Sequence, residues 1–121
     1  MEGLVPWPDD LAREYEEAGY WKGLTVGQAF DRTAIAYPDK EILVNEKARL
    51  SYSDVGLYAF RLALGLLEIG VKKGDKLVLM LPNWPELFFF YIALAKIGAI
   101  GVWALPQHRQ REIVYLLKKT D

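Results

Sequence analysis

The sequence contains no cysteine and a single histidine, His108, among its 121 residues. Disulfides, thiolate metal sites and cysteine nucleophiles each need a cysteine sulfur, so all three are excluded. A zinc site built from several histidines is excluded too, because one imidazole cannot supply the ligands. The sequence therefore excludes functions that depend on a thiol or on a metal ion bound by several histidines.

Hydroxyl side chains are also scarce, and none of the five serines and threonines lies in a glycine-rich loop. The phosphate-binding patterns Gly-x-Gly-x-x-Gly and Gly-x-x-x-x-Gly-Lys-[Ser/Thr] do not occur. A Ser-His-Asp triad is not expected, because His108 could use only Ser51 or Ser53, and Ser51 is predicted to cap a helix. Neighbouring acids such as Asp9–Asp10 indicate a solvated face. The residues alone predict no catalytic, cofactor-binding or metal-ligating residue.

The charges of the chain are nearly balanced, with 15 lysines and arginines against 16 acidic residues and a net charge of −1. No nucleic-acid partner is therefore expected. The first residues are acidic and lack an apolar signal core, which predicts a cytoplasmic protein. Hydrophobic residues make up 52% of the chain without its ten glycines, against a usual value of roughly 45–50% with glycine included. The excess indicates apolar surface that contacts more protein, or a membrane.

The membrane alternative rests on Leu87–Leu105, an apolar stretch with one charge, Lys96. Its length suits a transmembrane helix, which needs about 20 apolar residues. A lysine at the centre of such a helix costs about 2.5–3.5 kcal/mol on insertion, and Pro85 and Pro106 bracket the stretch as they would a short helix and a strand. No membrane span is expected, and a membrane-associated protein stays an alternative.

The first half of the chain predicts an arm followed by a capped helix. Residues 1–24 are aromatic and charged with weak periodicity, which indicates an extended arm with a short helix over residues 10–18. Thr25 and Gln28 have the spacing of a capping box. The helix that they begin should end before Pro38, since proline cannot continue it.

The next segment predicts a β-hairpin and a second, longer helix. Residues 41–52 suggest two short strands around a turn at 45–47, and Ser51 with Asp54 caps a helix that ends at Gly70. Nearly all of its other residues are apolar or small. A helix that is apolar on most sides is expected to be covered on more than one face.

The second half predicts a parallel βαβ unit and a final helix. A strand over residues 76–81 leads into a helix that Asn83 caps and Gly98 ends, and residues 99–105 form the second strand. A last helix follows Pro106. The fold class is therefore α/β.

Two polar residues follow the carboxyl ends of these strands, where ligands bind in open α/β sheets. Asn83 follows the first strand and His108 the second, so both are weak candidates for the edge of a pocket. The favoured interpretation of Asn83 is a helix cap, and that of His108 is a half-exposed residue between two elements.

Several stretches of the chain, taken together in their order and spacing, resemble the beginning of the acyl-adenylate-forming superfamily of AMP-forming acid–thiol ligases. They are LTVGQAFDRTAIAYPDKEILV, LSYSDV, VKKGDKLVLMLPNWPE and LAKIGAIGVWALP. Two further stretches, YEEAGYWKGLTVG and ALPQHRQREIVYL, are similar to the aryl-acid branch typified by 2,3-dihydroxybenzoate–AMP ligases. The resemblance implies that residues 25–121 are part of the N-terminal domain of a larger adenylating enzyme.

The resemblance also implies a reaction. An aryl acid and ATP, with magnesium, would give an acyl-adenylate and pyrophosphate, and the acyl group would pass to a pantetheine thiol of CoA or a carrier protein. The family's phosphate loop, its acidic residues for ribose and magnesium and its C-terminal lysine have no counterpart here, and Lys118 and Lys119 end a helix. The segment is thus expected to need the remainder of the ligase chain as partner and to be inactive alone. A fatty-acyl-CoA ligase and a non-catalytic scaffold domain are the alternatives.

Overall fold

The computed structural model describes residues 5–120, so residues 1–4 of the predicted arm and Asp121 lie outside the described range. Five helices and four strands form within that range, in the order that the sequence predicts, and the protein is α/β. The division of the chain at residue 25 stays a prediction. The elements are α1 (Asp9–Glu17), α2 (Val26–Ala36), β1 (Glu41–Val44), β2 (Arg49–Ser51), α3 (Tyr52–Glu68), β3 (Lys76–Leu79), α4 (Pro85–Ile97), β4 (Ile100–Trp103) and α5 (Gln110–Thr120).

Helices α2 and α3 both begin with the predicted capping boxes. The Thr25 backbone N–H donates to Gln28 Oε1 at 2.9 Å, and the Gln28 N–H donates to Thr25 Oγ1 at 3.2 Å. At α3 the Ser51 N–H donates to Asp54 Oδ2 at 2.9 Å, and the Asp54 N–H donates to Ser51 Oγ at 3.2 Å. Each pair satisfies two backbone donors that a helix start otherwise leaves unpaired.

The prediction that Asn83 caps α4 is wrong. The residue before the helix is Trp84, whose side chain makes no capping hydrogen bond, and Pro85 is the first helical residue. Proline suits this position because its φ angle is already helical and it has no N–H to satisfy. The start of α4 therefore leaves the Asn83 amide without a capping role.

The two strands of the parallel unit are shorter than predicted. They pair in register from Lys76↔Ile100 to Leu79↔Trp103, and the Ala104 N–H donates to the Leu79 carbonyl at 2.9 Å just beyond the last pair. After Leu79 the chain turns, with the Trp84 N–H bonded to the Pro82 carbonyl at 2.7 Å. Pro82 has no N–H for a ladder bond, so the strand cannot usefully continue through it.

The other boundaries of this unit are confirmed. Helix α4 ends at Gly98, which has the left-handed φ angle of 73° that glycine adopts without strain. The apolar stretch considered above as a membrane span is thus divided between a helix and a strand. Within residues 5–120, no helix combines the length and the apolar character required to cross a membrane.

The hairpin, formed by antiparallel β1 and β2, packs together with α2 against the centre of the molecule, where α3 and α4 lie side by side. Two buried clusters share these two helices, one beside the hairpin and one beside the parallel strands. Small residues of α3, including Ala59 and Ala63, are buried in the contact and allow α4 to approach closely. The clusters consist of Phe30, Val55, Ala59 and Ile92, and of Ala63, Leu66, Leu79, Ala93 and Leu94.

Helix α3 contacts α4, α2 and the hairpin, so it is covered on more than one face as predicted, but part of its apolar surface stays accessible. The accessible part, which we term the α3 outer face, carries Leu57, Phe60, Leu64 and Leu67, and the last three line a shallow groove beside α2 and the end of α4. Phe60 is 54% exposed and the other three are about as accessible. No further element within residues 5–120 covers these four side chains.

Candidate functional site

A groove opens at the carboxyl end of the parallel strands, between the hairpin turn, the start of α4 and the end of β4. We term it the aromatic groove. Its volume is about 330 Å³, and its position is the one where open α/β sheets hold ligands. The side chains that define it are Asn45, Asn83, Trp84, Phe88, Tyr91 and Trp103.

Aromatic rings form most of the groove wall. Tyr91 lies between two of them: its ring centroid is 6.3 Å from that of Phe88, at an interplanar angle of 20°, and 5.8 Å from that of Trp103, at 34°. These separations are typical of stacked and tilted aromatic pairs. Helix α4 positions Phe88 and Tyr91 one turn apart, and the last residue of β4 brings Trp103 beside them.

The polar side chains of the groove are two asparagines. Asn45 Oδ1 accepts the backbone N–H groups of Lys47 and Ala48, each at 2.8 Å, which fixes the hairpin turn. Asn83 is exposed at the mouth of the groove, since Trp84 and Pro85 begin α4 without it. No charged side chain lines the groove.

His108 does not line the aromatic groove. It lies half-buried in the turn between β4 and α5, where its backbone N–H donates to the Leu105 carbonyl at 2.9 Å. Its Nδ1 atom is buried and has no hydrogen-bond partner in the structure. Of the two candidates from the sequence, the structure therefore brings only Asn83 to this groove.

Arg109 stabilises the turn that holds His108. Its guanidinium donates to the carbonyls of Pro106, Gln107 and His108 at 3.1–3.2 Å. The Arg109 backbone N–H donates to Glu112 Oε2 at 2.9 Å, and this bond is the main reason why the pKa of Glu112 is lowered. The cationic and acidic groups next to His108 are thus engaged in the turn and in the start of α5.

The Asp54 carboxylate is likewise engaged in local hydrogen bonds, at the start of α3. Hydrogen bonds from the backbone N–H of Ser51 and then from its hydroxyl lower the pKa of the Asp54 carboxyl. Both carboxylates with a lowered pKa in a helix start therefore serve local structure. The sequence pattern Ser51-x-x-Asp54 identified the first pair, and Arg109-x-x-Glu112 was the equivalent signal for the second.

Five of the six residues that define the groove were missed by sequence reasoning: Asn45, Trp84, Phe88, Tyr91 and Trp103. Trp103 carried a usable signal, because it lies at the carboxyl end of a predicted parallel strand. Tyr91 gave none, since an aromatic residue in an apolar helix is ordinarily a core residue. Asn45 lies far from the others in sequence, and only the packing of the hairpin beside α4 brings it close.

The described residues do not fit an ATP–magnesium site. No group of three or more carboxylate, imidazole or thiol side chains within residues 5–120 could hold a metal ion. Lys118 and Lys119 lie in the last turn of α5, where cations interact favourably with the helix dipole.

Comparison with known proteins identifies the family. Residues 30–121 match the family described as AMP-binding enzyme. The chain is 40% identical over 116 residues to triostin synthetase I of Streptomyces triostinicus, covering 96% of this chain and 22% of that protein. It is 38% identical over 115 residues to the 2,3-dihydroxybenzoate-AMP ligase of Bacillus subtilis strain 168, covering 95% and 21%. The medium-chain fatty-acid–CoA ligase of Escherichia coli K12 is 37% identical over 120 residues, covering 98% and 21%.

A solved structure supports the same assignment. The apo structure of Mycobacterium smegmatis MbtA superimposes with a TM-score of 0.85 at 29% identity, over 96% of this chain and 22% of that one. The chain thus spans about a fifth of the length of the curated relatives it matches, and it corresponds to their N-terminal portion. With the match to the family extending over residues 30–121, the chain belongs to the AMP-binding enzymes.

Proposed function

We propose that the chain is the N-terminal portion of an ATP-dependent ligase that adenylates an aryl acid and transfers the acyl group to a thiol. The observation that carries the proposal is the 38% identity to a 2,3-dihydroxybenzoate-AMP ligase across 95% of the chain. The described residues supply a rigid βαβ unit with a hairpin and two packed helices. Within residues 5–120 no three carboxylate or imidazole side chains come together as a metal site, and we expect the charged groups for the reaction to come from the rest of the ligase.

The reaction would run in two balanced steps. A carboxylate oxygen of the acid attacks the α-phosphorus of ATP, and pyrophosphate leaves with its electron pair. A pantetheine thiolate, of CoA or of a carrier protein, then attacks the acyl carbon and releases AMP. Magnesium and positive groups supplied by the rest of the ligase would neutralise the charge that develops on the phosphates. The 121-residue chain alone is therefore expected to catalyse neither step.

The remainder of the ligase is the proposed partner of this chain. Two features support it: the chain corresponds to about a fifth of its relatives, and the α3 outer face leaves apolar side chains accessible. Contiguous apolar surface of this kind is typical of a protein contact.

The test is ATP–pyrophosphate exchange with a hybrid enzyme. The chain replaces the matching N-terminal portion of the Bacillus subtilis ligase, and exchange is measured with 2,3-dihydroxybenzoate. We expect exchange from the hybrid, and none from the chain alone or from the ligase that lacks this portion. A hybrid that is folded by circular dichroism but inactive would contradict the proposal, and self-association of the chain without any ATP dependence would favour the scaffold alternative.

A fatty-acyl-CoA ligase is the second candidate, supported by the 37% identity to the medium-chain enzyme over 98% of the chain. The hybrid cannot separate the two candidates, because its other portion comes from an aryl-acid ligase. The intact product of the gene that encodes this chain can: pyrophosphate exchange with 2,3-dihydroxybenzoate but not octanoate supports the aryl-acid proposal. The reverse preference supports the fatty-acyl candidate.

A further inference from the structure

We propose that the aromatic groove binds a small, neutral, planar aromatic molecule that carries an amide-like polar group. The inference rests on the geometry of the groove and is independent of the proposed ligase function.

Size and position make the groove suitable for a ligand. Its volume of about 330 Å³ lies near the lower limit of small-molecule sites, which span about 300–1,000 Å³. Such sites are mostly apolar with a few polar groups that orient the ligand. A molecule of one or two rings would fill this space.

The walls favour a flat ring over an aliphatic one. Trp103 is 44% exposed and Trp84 is 58% exposed, so both indoles keep accessible surface toward solvent. Trp103 is held by Tyr91, with 5.8 Å between the ring centroids, and by Gly101, whose missing Cβ leaves room for the indole. A planar ring can stack on a face that is held in this way, and such aromatic pairs add about 0.5–1.5 kcal/mol beyond the burial of area.

The absence of charged side chains from the groove lining selects for a neutral ligand. A carboxylate or phosphate entering the groove would lose water without gaining a cation, which is unfavourable in an apolar site. An aryl acid in its ionised form, an acyl-adenylate and ATP are therefore poor occupants.

The asparagines provide the polar recognition. Asn45 Oδ1 is already occupied by two backbone N–H groups, which leaves its amide nitrogen as a donor. Asn83 makes no capping bond, so its amide can both donate and accept. A carboxamide on the ligand has the complementary acceptor and donors.

The experiment is a titration of the 121-residue chain with benzamide, followed through the four tryptophan indole N–H signals in ¹H–¹⁵N NMR spectra. Trp84 and Trp103 lie in the groove, whereas Trp7 and Trp21 lie in the arm and act as internal controls. We expect saturable shifts of the two groove signals with a dissociation constant of about 1 mM, the range for a ligand of this size. Benzoate should bind at least tenfold more weakly because of its charge, and cyclohexanecarboxamide at least threefold more weakly because it is not planar.

Two substitutions test the assignment of roles. Asn83→Ala, at an exposed position, should weaken benzamide binding at least threefold without changing the circular dichroism spectrum. Trp103→Leu should abolish saturable binding, and Trp21→Leu in the arm should leave it unchanged. If Trp103→Leu fails to fold, Asn83→Ala alone decides the question.

Several results would overturn the proposal. They are the absence of saturable shifts up to 20-fold above the expected constant (about 20 mM), equal affinity for benzoate, and shifts that are as large at Trp7 and Trp21. Exclusion of benzamide by a second copy of the chain, detected as a dimer in sedimentation, would also overturn it, because the groove would then be a protein contact.

Discussion

The arm around α1 and the α3–α4 centre are held together in different ways. In the arm, Trp7, Tyr15, Tyr20 and Trp21 contact one another with ring centroids 5.5–6.3 Å apart, yet α1 has no buried residue. At the centre, Val55, Ala59 and Ala93 are fully buried between two helices. The arm is a local cluster in which three exposed rings surround the half-buried Tyr15, whereas the centre excludes water.

This difference indicates that the α3–α4 centre contributes more to the free energy of unfolding than the arm does. Removing apolar area from water contributes about 25 cal/mol per Å², and only the centre removes whole side chains. An exposed aromatic pair adds about 0.5–1.5 kcal/mol, which is too little to fix the arm against the entropy of ordering it. The arm should therefore loosen before the centre, and substitutions in the two regions should have unequal effects.

The largest effect is expected at Leu94, which is 2% exposed and belongs to the cluster beside the parallel strands. Leu94→Ala leaves a cavity and should lower the free energy of unfolding by about 2–5 kcal/mol. The matched control is Leu64→Ala on the α3 outer face, which should cost less than about 1 kcal/mol. Urea unfolding followed by far-UV circular dichroism measures both, and equal losses would contradict the comparison.

A smaller effect is expected at the contact between α2 and α4, where Gly27 is buried. A Cβ atom there would lie 3.3 Å from the Ala95 carbonyl oxygen, which is backbone and cannot easily move. The gain in helix propensity is about 1 kcal/mol and overpacking costs about 1–3 kcal/mol, so we expect Gly27→Ala to destabilise by about 1 kcal/mol.

Gly65→Ala is the control for that substitution. A Cβ atom at Gly65 in α3 meets nothing within 4 Å, so the substitution causes no steric clash. The higher helix propensity of alanine should therefore stabilise the variant by up to about 1 kcal/mol. The same chemical change should thus have opposite signs at the two positions. Thermal unfolding of both variants measures the signs, and stabilisation by Gly27→Ala would show that the helices can separate slightly.

The capping box of α3 should contribute a similar or smaller amount. Ser51→Ala removes the hydroxyl that accepts the Asp54 N–H and should cost about 1 kcal/mol. Ser53→Ala, two residues later and exposed, should change the free energy of unfolding by less than about 0.5 kcal/mol. A loss at Ser53 equal to that at Ser51 would show that the effect is not due to capping.

The features predicted correctly from the sequence are those that depend on a few neighbouring residues. Thr25 and Gln28, or Ser51 and Asp54, bond across three positions, so their spacing was enough to place two helix starts. The end of α4 at Gly98 was also predicted correctly, because a glycine directly after a helical segment is itself a local stop signal. The parallel pairing of β3 and β4 followed from the length of the connection between them, which suits one crossover helix.

The errors and omissions depend on the packing of distant segments. Asn83 was assigned a cap because its residue type favours one, but the chain turns over Pro82–Trp84 and the residue before the helix is Trp84, with Pro85 as the first helical residue. The sequence indicated that α3 is apolar on most sides, but which of its side chains stay accessible depends on how α2 and α4 pack beside it. The aromatic groove combines residues near positions 45, 84 and 103, and their proximity exists only in the fold.

A weaker, pH-dependent difference is expected at the start of α3. The pKa of Asp54 is lowered in the folded state by hydrogen bonds from Ser51. The stabilisation that Asp54 provides is therefore fully present above pH 3.8, the ordinary pKa of the carboxyl group. It is lost as the pH falls through the lower pKa of Asp54 in the folded state. Asp54→Asn should reduce the loss of stability on acidification relative to the unsubstituted chain, as urea midpoints between pH 6 and pH 2 would show.

The smallest effect on the centre should come from the arm itself. Trp21 contacts Trp7 and Tyr15, with ring centroids 5.7 and 5.5 Å away, so Trp21→Ala should remove much of the near-UV circular dichroism of the cluster and make residues 5–24 more sensitive to proteolysis. The midpoint of cooperative unfolding should shift by less than 1–2 °C, since none of the rings in the cluster belongs to the buried centre. A shift as large as that of Leu94→Ala would mean that the arm and the centre unfold as one unit, and that the exposed rings of the arm contribute to the stability of the whole chain.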